Sequence, residues 1–205
     1  AVLTTENEIN RGRALTSTPE DIEKFKNGTY PSTDWSDVVF RDHSNMTRHN
    51  LNISGGSEKI KYFTSLGYLD EMGLWKSGDL NYNKYNIRSS VTGQITENLS
   101  AQLNIDAILE NKNEPGEPAW NVFKFTWMNK PILPVYANNN PDYLQDMSYP
   151  WHPLAMTTAD ISGYTKTKTK TFQGNFILEY KFKSIEGLSA KMMYSHFNRD
   201  GFQKA

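Results

Sequence analysis

A chain of 205 residues with 37% apolar and 13% aromatic residues is long enough to bury a core, and the aromatic content excludes a disordered chain. Lys plus Arg (22) balances Asp plus Glu (23), which excludes the one-signed field expected of a nucleic-acid partner. Cysteine is absent, which excludes disulfides, thiolate metal sites and cysteine catalysis, and no run approaches the ~18 apolar residues of a membrane helix.

The first residues, Ala1 to Glu6, carry neither a basic nor an apolar leader segment. Either a signal was removed or the chain begins within a longer protein. Residues 1–45 read as an irregular region with short helices. Thr18 is placed to cap a helix that has Pro19 at its first position and Asp21 three residues beyond the cap, and Gly28 is a natural stop. A shorter turn is expected after Thr33, carrying Trp35, Val38, Val39 and Phe40.

From Met46 onward, over 46–205, the dominant period becomes two. Six strands follow, at about 46–54, 59–69, 84–95, 99–110, 167–182 and 188–197. In the first, His49, Leu51 and Ile53 share a face against Asn50 and Asn52. In the second, Ile60, Tyr62, Leu66 and Tyr68 share one. Tyr85, Ile87 and Val91 do so in the third, against Arg88 and Thr92. The fourth is the clearest, with Leu99, Ala101, Leu103, Ile105, Ala107 and Leu109 opposite Gln102, Asn104, Asp106 and Glu110. Phe172, Phe176, Leu178 and Tyr180 line up in the fifth, and Leu188, Ala190, Met192 and Tyr194 in the sixth.

The connections alternate in length: short at 55–58, 96–98 and 184–187, long at 70–83 and very long at 111–166. Consecutive antiparallel strands place alternate connections at opposite ends, so the short turns share one rim and the long loops the other. A loop of that second length is functional or separately structured. The polar faces carry Lys61, Arg88, Asp106, Glu110 and Lys191, while tyrosines crown the apolar faces near strand ends. These features fit an all-β, antiparallel up-and-down meander. Alternation by itself leaves a membrane barrel and a soluble two-layer sheet both open.

The segment Asp34-Trp35-Ser36-Asp37-Val38-Val39-Phe40-Arg41 resembles a stretch found in TonB-dependent transporters of the SusC/RagA type. The likeness is most specific over His49 to Lys59 and Tyr62 to Asp70. It continues weakly through Tyr85 to Ser89, Pro131 to Tyr136 and His152 to Ala155. The resemblance implies a transmembrane β-barrel, 22-stranded in the family and closed by a plug, with residues 1–45 in its first extracellular loop and the six strands early in the wall. It implies a bacterial outer-membrane location and uptake of oligosaccharides or peptides. A SusD-like surface lipoprotein and the TonB complex would be partners, engaged through parts of such a protein that this sequence lacks: no TonB-contacting box, plug or C-terminal aromatic strand is read in it. Leu51, Ile53, Tyr62, Leu66, Ile87, Val91, Leu103, Ile105, Phe176, Leu178 and Met192 would then face membrane lipid. The alternative is a secreted β-rich glycan-binding module.

Catalytic chemistry finds little support. Asp70 and Glu71 read as a solvated pair opening a loop, and no nucleophile motif is present. His43, His49, His152 and His196 lack metal-ligand spacing and read as surface or interfacial residues. Neither a cofactor nor a metal is expected. Ligand contact is sought in the aromatic-dense long loop, with Trp120, Trp127, Tyr136, Tyr143 and Trp151 as candidates beside Phe123, Phe125 and Tyr149. Trp120, Phe123 and Trp127 also fit one face of a helix starting near Pro118, where packing is the simpler role. The run Thr165 to Thr171, alternating Thr and Lys, is expected to extend the sheet above the membrane.

Overall fold

The computed structural model describes residues 18–147 and 151–205. Residues 1–17 of the expected loop region and Tyr149 lie outside them. The chain divides into two compact units, 1–40 with 118–156 and 41–117 with 157–205.

The second unit is a single sheet. Strands β1 (Met46–Gly56), β2 (Ile60–Met72), β3 (Asn81–Gln94), β4 (Leu99–Pro115), β5 (Tyr164–Lys181) and β6 (Ser189–Lys204) are ordered as in the sequence, each antiparallel to the next. The register carries the period-two pattern from strand to strand. One rung runs Leu51, Leu66, Ile87, Ala107, Phe172, and another Tyr62, Val91, Leu103, Phe176, Tyr194. A slip of one residue at any pairing would turn the apolar set to the opposite side. None occurs, so one face of the sheet is apolar over all six strands.

The turns are locally encoded. Ser57 Oγ accepts from the N–H groups of Lys59 and Ile60, both at 3.3 Å. Thr96 Oγ1 accepts from those of Asn98 and Leu99 at 3.3 and 3.1 Å. Gly187, with φ of 81°, closes the last turn in the left-handed region. Gly56 is needed for a steric reason instead. The backbone of β2 runs directly over it, and a Cβ there would collide with Ile60 O and stand 2.9 Å from Lys61 Cα.

The ladders outrun the alternation. β4 continues to Pro115 and β5 begins at Tyr164, whereas the apolar period fades near 110 and 167. Period-two hydrophobicity marks where one face leaves water. Backbone pairing has no such requirement and continues past it. The connections thereby shorten to 73–80 and 116–163 at one rim, against 57–59, 95–98 and 182–188 at the other. Over 73–80, Trp75 is buried, and Gly73 N–H donates to Leu80 O at 2.7 Å. A short helix at Ala159–Ser162 is tied in by Asp79, whose carboxylate accepts from Ala159 N–H at 2.8 Å.

The buried apolar side chains, Trp35, Val39, Trp75, Val122, Phe125 and Met156, all lie outside the strands. A two-layer sandwich would instead bury the inward set of each strand. Among the described residues, no layer seals the sheet's apolar face.

A candidate membrane-facing surface and a candidate ligand-contact loop

The sheet presents two chemically opposed faces. On the apolar one, Leu51 is 56% exposed, Leu103 42%, Phe176 39% and Met192 61%. Ile53, Tyr62, Leu66, Ile87 and Val91 are exposed too, while Ile105 and Leu178 are half-buried between neighbouring side chains. On the polar face Arg88 Nε meets Asp106 Oδ2 at 2.8 Å across the β3–β4 rung. Tyr82 O–H donates to Glu110 Oε1 at 2.6 Å, and Ser90 O–H and Gln102 Nε2 both donate to Asn104 Oδ1. The Arg88–Asp106 pair, with its arginine exposed, contributes about 0–1 kcal/mol, and the part-buried bonds beside it make a continuous polar network on this face.

Asp70 and Glu71 fall inside β2 and not at the opening of a loop. Successive strand residues point to opposite faces, which separates the two carboxylates. Asp70 instead accepts from Asn83 Nδ2.

The other unit is built on helical turns. Helix α1 (Pro19–Lys26) has the expected capping box: Thr18 Oγ1 accepts from Asp21 N–H, and Asp21 Oδ2 accepts from Thr18 N–H at 3.0 Å. These contacts from Thr18 hold the Asp21 carboxyl below the usual carboxylate range. Helix α2 (Trp35–Val39) starts one residue later than expected. Asp34 caps it, accepting from the N–H groups of Ser36 and Asp37 at 2.9 and 3.2 Å. Thr33 is occupied elsewhere, donating from N–H to Pro131 O and from Oγ1 to Leu133 O at 2.7 and 2.6 Å.

Trp35 is the hub of this unit. Its Nε1–H donates to Lys130 O at 3.1 Å, and its ring meets His152 edge-on, with centroids 5.3 Å apart and planes at 89°. Of the surface or interfacial roles read from sequence the structure excludes the first, since His152 is 8% exposed and packed against Trp35. Nε2 lies 2.9 Å from Val135 O and must donate to it, since a carbonyl only accepts. That fixes the proton on Nε2 and leaves Nδ1 buried without a hydrogen-bond partner among the described residues. Burial lowers the imidazole pKa from its ordinary value, more than the Val135 bond raises it. The Trp-x-Asp pattern is thus a packing device, and the segment His152-Pro153-Leu154-Ala155 supplies the surface it packs on.

Helix α3 (Ala119–Met128) follows Pro118 as expected and buries Val122, Phe125 and Thr126. Trp120, Phe123 and Trp127 do share a side, but it is the exposed one, with both tryptophans 76% exposed. Phe123 stacks on Phe40 at 5.1 Å. Tyr136 and Tyr143 flank a turn closed by Ala137 N–H to Tyr143 O at 2.9 Å, with Asn138 and Asn139 at φ of 53° and 57°. Tyr143 is exposed and Tyr136 half-buried. Trp151 leans on Phe125 at 5.8 Å while half its surface stays open. The five candidates therefore form separate groups: the α3 tryptophans, the tyrosines of the turn, and Trp151.

No protein-family model matches the chain. It is 26% identical over 179 residues to the TonB-dependent receptor SusC of Bacteroides thetaiotaomicron, covering 77% of this chain and 17% of that protein. It is 25% identical over 171 residues to TonB-dependent receptor P3 of Formosa agariphila, covering 80% of this chain and 16% of that protein. The chain thus spans about one sixth of the length of these relatives. Its fold is similar to the RagAB peptide importer in the open-open state, with a TM-score of 0.66 and 17% identity over 96% of this chain and 24% of that one. The closed-closed state gives a TM-score of 0.64, over 96% of this chain and 25% of that one. Sequence kinship and strand topology thus point the same way: the chain is similar in sequence to TonB-dependent receptors of the SusC type, and its six-stranded antiparallel meander has the fold of a segment of the RagAB barrel.

Proposed function

We propose that this chain forms part of the wall of a bacterial outer-membrane transporter importing oligosaccharides or peptides. Membrane lipid covers the apolar face, including Leu51, Leu103, Phe176 and Met192, and the polar face with Arg88 and Asp106 looks into an aqueous lumen. The observation that carries this reading is the apolar side of the sheet, continuous over six strands and sealed by no second layer among the described residues. Its height supports it: Leu99 to Leu109 spans roughly 33 Å along β4 at ~3.3 Å per residue, which at a tilt of about 40° is a band of about 25 Å.

In this reading the 116–163 excursion stands on the extracellular side, and its exposed aromatics, Trp120 and Trp127 foremost, contact the cargo or a SusD-like lipoprotein that lids the barrel. The TonB complex powers release through regions beyond this chain. SusC and RagAB are named as a receptor and an importer, and no reaction is assigned to this chain.

Fractionation of cells expressing the native protein tests the reading. The protein is expected in the outer membrane, released by detergent and not by salt or alkali. Recovery in the soluble fraction would overturn it and favour a secreted binding module.

A further inference from the structure

Above the apolar band, on the same side of the sheet, stands a group of lysines for which the transport reading has no use. β5 residues of even number share the face of Phe172 and Phe176, so Lys166, Lys168 and Lys170 all project on the apolar side, with the intervening threonines on the other. Lys204 of β6 pairs with Lys166 and joins them. Successive lysines stand about 6.6 Å apart along the strand. None of Lys166, Lys168 and Lys170 forms an ion pair among the described residues. Asp200, the carboxylate across from Lys170, accepts from Asn198 Nδ2 at 3.0 Å. Asp70, the carboxylate at the level of Lys168, lies three strands away against Asn83. Four cations therefore face one carboxylate on β5 and β6.

Two hollows lie one above the other on this face. The lower, of about 740 Å³, crosses the sheet between the rung of Leu66, Ile87, Ala107 and Phe172 and the rung of Tyr68, Tyr85 and Lys170. The small Ala107 deepens it. The upper, of about 300 Å³, is lined by Lys166, Lys168, Lys204 and Phe202 with Asn111 and Asn113 of β4. An apolar trough directly beneath a basic hollow matches an amphiphile whose hydrocarbon lies below and whose anionic head lies above.

Resting on the proposed membrane reading, we infer that this face is a binding site for a lipid of the outer leaflet bearing several acyl chains and more than one headgroup phosphate. The lysines receive the phosphates, the amides of Asn111 and Asn113 donate beside them, and the acyl chains fill the trough under Tyr68 and Tyr85. The spacing selects this occupant. A phosphodiester lipid with a single charge engages one or two lysines, whereas phosphates spread over a larger head engage the whole row. Free phosphate gains nothing from the trough.

The test uses the native protein purified in zwitterionic detergent, titrated with a fluorescent, multiply acylated glucosamine disaccharide carrying two phosphates. Its dephosphorylated and deacylated forms are titrated in parallel. Each lysine near the head contributes roughly fivefold in affinity. The variant K166Q/K168Q/K170Q should therefore bind the bisphosphorylated lipid more than about tenfold more weakly, approaching the affinity of wild type for the dephosphorylated form. K84Q, at the height of Thr169 on the polar face and outside the lining of both hollows, should leave binding unchanged. Equal binding by the triple variant, or equal binding of the deacylated head, would overturn the site. Insertion into phosphatidylcholine vesicles separates the two levels of the proposal. A triple variant that inserts like wild type but binds no differently sinks the lipid site alone, whereas a wild-type protein that does not insert sinks the membrane reading with it.

Discussion

Side-chain parity is the property on which single residues in the sheet depend. Leu103 and Gln102 are neighbours in β4, one flanked by Val91 and Phe176, the other by Thr92 and Ile177. Under the proposed membrane reading, which puts Leu103 near the bilayer midplane, Leu103→Arg should destabilise the barrel by roughly 2–4 kcal/mol, and Gln102→Arg by much less. Chemical denaturation of the native protein in lipid, followed by tryptophan fluorescence, measures both, and equal losses would contradict the assigned faces. His152 gives a prediction of opposite character, in pH. Its folded-state pKa is depressed by burial from the ordinary 6.5, so the unfolded chain takes up the proton first. The neutral imidazole's contribution is complete above that ordinary value and is lost as pH falls below it towards the depressed one. Protonation would place a charge on Nδ1, which has no acceptor among the described residues, and should loosen the contact with Trp35. Emission of Trp35, isolated by replacing the other tryptophans, should shift between neutral pH and about pH 5; an unchanged spectrum would refute the coupling. The sequence could not show this residue's burial, because histidine's spacing says nothing about which loop folds over it.

At the scale of elements, local chemistry was legible where it acts locally. The Thr18, Pro19 and Asp21 signature gives α1 with both cap hydrogen bonds in place. Alternation gives every strand and its face, since period-two patterning reports directly on one-sided contact. Two matters were not legible. One is the ladder beyond the apolar band, which depends on backbone pairing alone. The other is the outward side of α3, because Trp120, Phe123 and Trp127 recur at a spacing that a core-facing stripe would share, and only burial of Val122 and Phe125 on the opposite side decides between them. The start of α2 shows how a competing bond sets a boundary. Thr33 and Asp34 both have capping side chains, but Thr33 is taken by Pro131 and Leu133. Asp34→Ala removes two cap hydrogen bonds and should destabilise the loop unit by about 1 kcal/mol. Thr33→Val should leave the helix intact and act only on the attachment of 131–133. Hydrogen exchange of the Ser36 and Asp37 amides distinguishes them, with faster exchange expected in the first variant alone.

For the whole molecule, what matters is the surface left unpaired. Among the described residues β1 and β6 are the edges of the sheet, each with a row of unpaired backbone groups, and the apolar face adds exposed Leu51, Ile53, Met192 and Tyr194. The 205-residue chain prepared alone should self-associate in water and require detergent to stay dispersed. A single monomeric species by light scattering, without detergent, would contradict this. The overall architecture was foreseeable from the spacing of turns and loops, while its division into two units rests on contacts between residues about 100 positions apart, such as Thr33 with Leu133, which no local pattern announces. The long excursion at 116–163 also bears on how the wall assembles. Bringing β4 to β5 closes a loop of about 48 residues, against about 7 for β5 and β6. For a flexible chain that difference adds roughly 1.7 kcal/mol of closure entropy. Condensation of the excursion around Trp35 and Val122 shortens the effective tether, so the order in which hairpins zip is governed by a knot of side chains that belongs to none of the strands it brings together.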